Sequence, residues 1–243
     1  MMNEETIASV LCKIHATASP ECLLIQPSAR HEEKDDGLAR EMLMIERSAQ
    51  RGFAMAAFNT GDWARALMPW HDDAVSRDGQ VGLHARKTLA FVEHDLLPWL
   101  RRRYGNLPCV IGGYSLGGLF ALWAAAESTA FDSVAAASPS LWIEGWMNYA
   151  QGHPIMARNV YLSLGNREEH CRNLRMKRIG DCVRLQHDLM RMQLGDSHTT
   201  LEWNNGGHFG EEAERTARAF SWCIGQLPGS APVTKQNVKQ PTT

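Results

Sequence analysis

The sequence predicts an α/β fold: a single domain with a mostly parallel central sheet and helices on both faces. Two observations carry this. Short apolar runs of strand length alternate with longer segments whose apolar residues recur at three-and-four spacing, the pattern of parallel strands joined by crossover helices. Near the middle, one such run turns through Gly112-Gly113-Tyr114-Ser115-Leu116-Gly117-Gly118 directly into an Ala-rich segment, an abrupt strand-to-helix junction. A chain of 243 residues suits one α/β domain, here residues 1–228, with 229–243 as a tail.

The elements follow in order. A weak opening strand is expected near Ile7 to Ile14. Cys22 to Gln26 reads as a central strand ending at Pro27, and a polar loop runs from there to Asp36. Leu38, Met42, Ile45 and Ala49 mark an amphipathic helix stopping at Gly52, and Phe53 to Phe58 is the next buried strand. Asn59 to Gly79 lacks periodicity but carries Trp63, Trp70 and His71, as a connection shaping a binding site would. Leu89, Val92, Leu96, Leu100 and Tyr104 mark a helix reaching Gly105, with a kink expected at Pro98 because proline lacks the amide donor.

Leu107 to Ile111 is the strand entering the glycine-rich turn, and Leu119 to Ala126 the helix leaving it. Val134 to Ser138 is a strand closed by Pro139, and Ser140 to Gln151 a Trp-rich loop or short helix. Val160 to Leu164 is a strand ending at Gly165, followed by a helix over roughly Asn173 to Leu194 and a strand at Thr199 to Trp203. Ala213, Ala217, Phe220 and Ile224 form the face of the last helix. Gly229 to Thr243, rich in Pro, Thr, Gln and Lys, is expected to be disordered. In such a sheet, chemistry belongs at the carboxyl ends of the strands.

Composition narrows the function classes. The apolar fraction of 44% fills a substantial core, and a formal net charge of −2 gives no reason to expect nucleic acid or an anionic membrane as partner. Six widely spread cysteines without a C-x-x-C pattern read as reduced thiols rather than a disulfide framework. The acidic N-terminus lacks an apolar signal region and no run approaches membrane-span length, so the expectation is a soluble cytoplasmic protein.

The serine turn carries the chemistry. A strand turning this sharply into a helix strains its middle residue, and Gly113 and Gly117 remove side chains that would clash there. Ser115 then stands at the apex beside the positive end of a helix. The competing reading is a glycine-rich turn with an ordinary serine.

A serine hydroxyl needs a base, and the base an orienting partner. Among ten histidines, His208 is best placed, following a late strand in the loop Gly206-Gly207-His208-Phe209-Gly210 and preceding the final helix. His198 and His170 are rivals. Chain order in α/β-hydrolases is Ser, acid, His, which directs attention to Leu164-Gly165-Asn166-Arg167-Glu168-Glu169. Glu168 is the candidate acid and Glu169 the alternative. The N–H of Leu116 is one candidate oxyanion donor. The second should come from the loop after the Cys22 to Gln26 strand, where Pro27 has no N–H, so the Ser28 amide is the candidate, with Ala29 adjacent. Trp63, Tyr114 and Trp142 are candidates for lining the substrate pocket, against the plain reading of packed aromatics. Glu168 to Cys171 has no second ligand cluster, so no metal is expected, and no cofactor.

The run Gly112 to Ala126, the segment Ala137-Ser138-Pro139-Ser140-Leu141-Trp142 and the loop Gly207-His208-Phe209 resemble the esterase D-like branch of the α/β-hydrolases. The resemblance spans about residues 20 to 226. It implies a serine hydrolase with Ser115 as nucleophile, Glu168 or Glu169 as acid and His208 as base. The reaction expected is cleavage of a small or medium carboxylic ester through an acyl-enzyme. Acyl transfer by the same residues, and a non-catalytic binding protein of the same fold, are the alternatives.

Overall fold

The structure, a computed structural model, describes residues 2–28, 36–76, 79 and 81–228. The expected tail at 229–243 and the loop after Ser28, residues 29–35, lie outside the described residues. The single opening strand expected from sequence is instead a hairpin. Strands β1 (Asn3–Ile7) and β2 (Val10–Ala16) pair antiparallel around Ala8 and Ser9, whose φ values of 46° and 69° mark a two-residue turn of the primed kind. Neither residue is one of the usual turn-formers Asn or Gly, so the break was not visible in the sequence.

Strand β3 (Cys22–Ser28) runs through Pro27 rather than ending there. Its pairing with the neighbouring strand on one side stops at Ile25, so Pro27, opposite Phe58, has a partner on one flank only and its missing donor is tolerated. Helix α1 (Gly37–Ser48) and strand β4 (Phe53–Asn59) follow as expected. The irregular connection contains one short helix, α2 (Trp63–Leu67), capped by the Asp62 carboxylate accepting from Arg65 N–H.

The kink expected at Pro98 is a π-helical turn over Val92–Leu96 between α3 (Ala85–Phe91) and α4 (Leu97–Tyr104). There the Leu97 N–H reaches back five residues to the Val92 carbonyl, and Pro98, which has no N–H to give, directly follows this wider turn. Next come β5 (Cys109–Tyr114), α5 (Leu116–Glu127), β6 (Ser133–Ala137), α6 (Trp146–Gly152) and β7 (Asn159–Gly165). After 3₁₀ turns at Glu168–His170 and Met176–Arg178, α7 (Ile179–Leu194) starts later than the sequence suggested. A further turn at Asp196–His198, β8 (Thr199–Asn204) and α8 (Glu212–Gln226) complete the described fold.

Among the described residues eight strands form one sheet in the order β1-β2-β4-β3-β5-β6-β7-β8, with β2 antiparallel to both its neighbours and β3 to β8 parallel. Alternate strand residues separate two cores. Leu23, Ile25, Ile111, Val134 and Leu162 pack with α5 and its neighbours, whereas Leu24, Met55, Val110, Ala135 and Tyr161 pack with α1 and α8. Both faces are covered, which is why these strands read as continuous apolar runs. Among the described residues no helix is long and apolar enough to cross a membrane, and all six cysteines are free thiols. Burial pushes the Cys12 and Cys22 thiols up to about 12, which keeps them protonated.

Candidate active site

The parallel strands β3 to β8 all end at one carboxyl edge of the sheet. At the end of β5, Ser115 takes φ 56° and ψ −117°, a conformation that L-residues avoid, and α5 begins at the next residue. The turn exists because strand and helix approach closely. A Cβ on Gly113, itself at φ 155°, would lie 3.0 Å from the Gly117 carbonyl carbon. The Ser115 N–H donates to the Ala137 carbonyl at 3.1 Å, tying the turn to β6.

His208 and Glu168 complete a connected chain. The Ser115 hydroxyl oxygen is 3.0 Å from His208 Nε2, and His208 Nδ1 is 2.6 Å from Glu168 Oε2. Three donors hold the other carboxylate oxygen: the Ser138 hydroxyl at 2.9 Å, the Gly165 N–H at 2.7 Å and Arg215 Nη1 at 3.1 Å. Burial favours the protonated acid, but the His208 bond and charge, with the Gly165 and Ser138 donors, outweigh it and hold the Glu168 carboxyl below its usual range. Glu168 is therefore an anion where it meets the imidazole.

The neighbouring carboxylate is placed quite differently. Glu169 points outward and takes two hydrogen bonds at 3.0 Å from Arg184. His198, the rival histidine, lies at the opposite edge of the sheet before β8, with Nδ1 2.8 Å from Asn159 Oδ1. His170 ends the 3₁₀ turn that carries Glu168.

The loop bearing His208 is clamped to the end of β7. Asn166 N–H donates to the Asn204 carbonyl and Arg167 N–H to the Gly206 carbonyl, at 2.8 and 3.0 Å. A Cβ on Gly165 would stand 2.6 Å from the Gly206 carbonyl oxygen, so this approach requires glycine. Arg215, 1% exposed on α8, joins the same network, reaching the Asn205 carbonyl as well as Glu168 and the Tyr114 hydroxyl. Sequence reasoning missed Arg215. Its position on the inner face of the last helix, where an apolar residue fits the period, is the signal that could have found it.

The aromatic candidates divide. Trp63 stands at the turn, with ring atoms 3.4 Å from where a Gly117 Cβ would be, beside the Pro27 ring. Trp142 lines a concavity of about 340 Å³ with Ile143, Met147 and Arg178. Tyr114 sits behind His208, on the α1 and α8 face; its hydroxyl donates to the His208 carbonyl at 2.5 Å and its ring lies 5.2 Å from the imidazole. Burial raises the Tyr114 phenol to about 12, so it stays a donor.

Of the oxyanion candidates, Leu116 opens α5, where an N–H has no intrahelical acceptor. Ser28, 2% exposed, ends β3, its carbonyl accepting from Thr60 N–H at 3.2 Å. Its alternative, Ala29, lies outside the described residues. A wider groove of about 590 Å³, walled by Trp70, His71, Tyr149 and Arg175, shares Glu144, Gly145 and Arg175 with the Trp142 concavity. Asp72 ties these loops together, taking both Arg175 guanidinium N–H groups at 3.0 and 3.2 Å and the Glu144 N–H at 2.9 Å. Among the described residues no group of three or more His, Cys, Asp or Glu side chains is arranged to hold a metal ion.

Residues 43–218 match the family model described as "Putative esterase", most of the chain. No match was found among curated proteins. Among solved structures, the chain is similar to the siderophore hydrolase EstA from Aspergillus nidulans, with a TM-score of 0.69 at 15% identity over 92% of this chain and 94% of that one. It is similar to the siderophore hydrolase EstB from the same organism, at 0.64 and 20% identity over 91% and 92%. An IroE-like serine hydrolase from Shewanella oneidensis gives 0.69 at 13% identity over 93% and 80%.

Proposed function

Because this chain belongs to the Esterase family and is a carboxylic ester hydrolase of the α/β-hydrolase fold, we propose that it cleaves small or medium esters through an acyl-enzyme on Ser115. The observation that carries this reading is the continuous contact from the Ser115 hydroxyl through His208 to the anionic Glu168, at 3.0 and 2.6 Å. Ser115 attacks the ester carbonyl carbon while its proton passes to His208 Nε2. The carbonyl electron pair moves onto oxygen, to which the Leu116 and Ser28 N–H groups donate hydrogen bonds. Collapse expels the alcohol, which leaves with the proton from His208. Water then repeats the sequence on the acyl-enzyme and releases the acid. Glu168 holds the imidazole in the tautomer with hydrogen on Nδ1 and stabilises the imidazolium formed during attack.

Trp63 and Trp142 flank the nucleophile and the neighbouring concavity and are assigned to substrate contact. Tyr114 is assigned to holding the His208 loop. The siderophore hydrolases similar to this chain give a reason to include siderophore-type esters in a substrate panel.

The test is labelling by a fluorophosphonate probe, mapped by peptide mass, beside hydrolysis of esters of graded acyl length. We expect a single label on Ser115, none on Ser115→Ala, and release of free acid. Wild-type turnover by purified Ser115→Ala would overturn the serine mechanism. Appearance of a new ester in place of free acid when an alcohol is added at low concentration would favour acyl transfer.

A further inference from the structure

We propose that Ser140 is a further catalytic residue, its hydroxyl donating a hydrogen bond to the Ser115 oxygen; this rests on Ser115 being the nucleophile. Ser140 is 4% exposed at the turn after β6. Its hydroxyl oxygen lies 3.1 Å from that of Ser115, and its backbone N–H donates to the Ser115 carbonyl, also at 3.1 Å. Two bonds thus bind one residue to the nucleophile.

The direction of the hydroxyl bond follows from the protons available. His208 Nδ1 faces the anionic Glu168 at 2.6 Å, a contact that requires the hydrogen on Nδ1. In the neutral imidazole Nε2 is then an acceptor. The only donor that can fill the 3.0 Å contact to Nε2 is the Ser115 hydroxyl, which has one proton and spends it there. The contact between the two serines must therefore be donated by Ser140.

This arrangement assigns every site on the Ser115 oxygen. Its proton is directed at His208, one lone pair is held by Ser140, and the other is left for the substrate carbonyl. As the proton departs, negative charge builds on the oxygen before the new bond to carbon consumes it. A buried donor already in place stabilises that charge without reorganising. The Ser140 proton stays on Ser140 throughout, so the atom balance of the reaction is unchanged. Holding the lone pair lowers the ground-state basicity of the oxygen slightly, but the stabilisation grows with charge, so the net effect is on the barrier.

The turn also serves the other end of the chain. Two residues earlier, the Ser138 hydroxyl donates to Glu168. One Ser-Pro-Ser turn thus places a hydroxyl on the nucleophile and another on the acid.

The test measures Ser140→Ala and the near-isosteric Ser140→Cys, whose thiol is a weak donor. The readouts are kcat/KM, the second-order rate of fluorophosphonate labelling, the melting temperature and the Ki of a non-cleavable amide analogue. We expect labelling and kcat/KM to fall together by about tenfold to a hundredfold in Ser140→Ala, the scale of a donor to a charged oxygen. Melting temperature and Ki should stay near wild type, and Ser140→Cys should fall between. Unchanged labelling in either folded variant overturns the proposal. So does a rate loss matched by weaker Ki and lower stability, which is the signature of a merely structural serine. Should Ser140→Ala not fold, Ser140→Cys carries the same criteria. Ser115→Ala separates the two readings: if it retains activity the nucleophile assignment fails, whereas an inactive Ser115→Ala beside a wild-type Ser140→Ala defeats only this inference.

Discussion

Two adjacent turns at the carboxyl edge of the sheet each hold a serine at positive φ: Ser115 at 56° after β5, and Ser138 at 42° after β6. Both conformations cost energy in an L-residue, and both aim a hydroxyl out of the strand direction. There the likeness ends. Ser115 leads straight into α5 and faces an imidazole nitrogen able to take its proton, while Ser138 leads into Pro139 and donates a hydrogen bond to a carboxylate oxygen that already holds two other donors. Backbone strain marks the place where the site is assembled. The partner of each hydroxyl decides what the residue does.

The sharpest break in the comparison is deletion of each hydroxyl. Ser115→Ala should lower kcat/KM by about a thousandfold or more while leaving the melting temperature close to wild type. Next comes the acid that Ser138 supports. Glu168→Gln should reduce kcat by on the order of a hundredfold to ten-thousandfold, because the imidazole loses its orienting anion, whereas Glu169→Gln should change it by less than about threefold. Equal losses in the two variants, measured by steady-state kinetics, would show that the distinction drawn between these neighbours is wrong.

Ser138→Ala should cost only about threefold to tenfold in kcat, since Gly165 and Arg215 still hold Glu168. A loss as large as that of Ser115→Ala would mean that the two turns are functionally alike. Strain can be separated from hydroxyl chemistry by comparing glycine with alanine. Ser115→Gly and Ser138→Gly should each be more stable than the matching alanine variant, by about 1 kcal/mol in denaturant unfolding, because glycine takes a positive φ without the Cβ clash that strains alanine.

The smallest effect is one of pH. The folded-state pKa of Glu168 is depressed, so its contribution to stability is fully present above the unfolded carboxyl value of about 4.3 and is lost as pH falls through the folded value. Urea midpoints measured downward from pH 5 should fall less steeply in Glu168→Gln than in wild type. Parallel curves would mean that the carboxylate is not held as an anion.

By itself the sequence determined what depends on near neighbours along the chain. Strands β3 to β7 were visible because burial on both faces makes each a continuous apolar run, and the Ser115 turn because its glycines lie within three residues of that serine. The candidates Ser115, His208 and Glu168 followed from where such a sheet puts its loops.

Direction across the chain is set by packing between distant segments. Glu168 and Glu169 share a composition and a position in the same loop, yet one turns inward to His208 and the other outward to Arg184, a choice made by the 3₁₀ turn they occupy. Tyr114 was read as a candidate for the pocket, and that its hydroxyl and ring rest against His208 on the α1 and α8 face depends on a loop brought from 94 residues away. Arg215, 100 residues from Ser115, and the pairing of Ser140 with Ser115 were likewise beyond local pattern. A buried cation or hydroxyl is legible only once its partner, brought from a distant strand end, stands within hydrogen-bond reach.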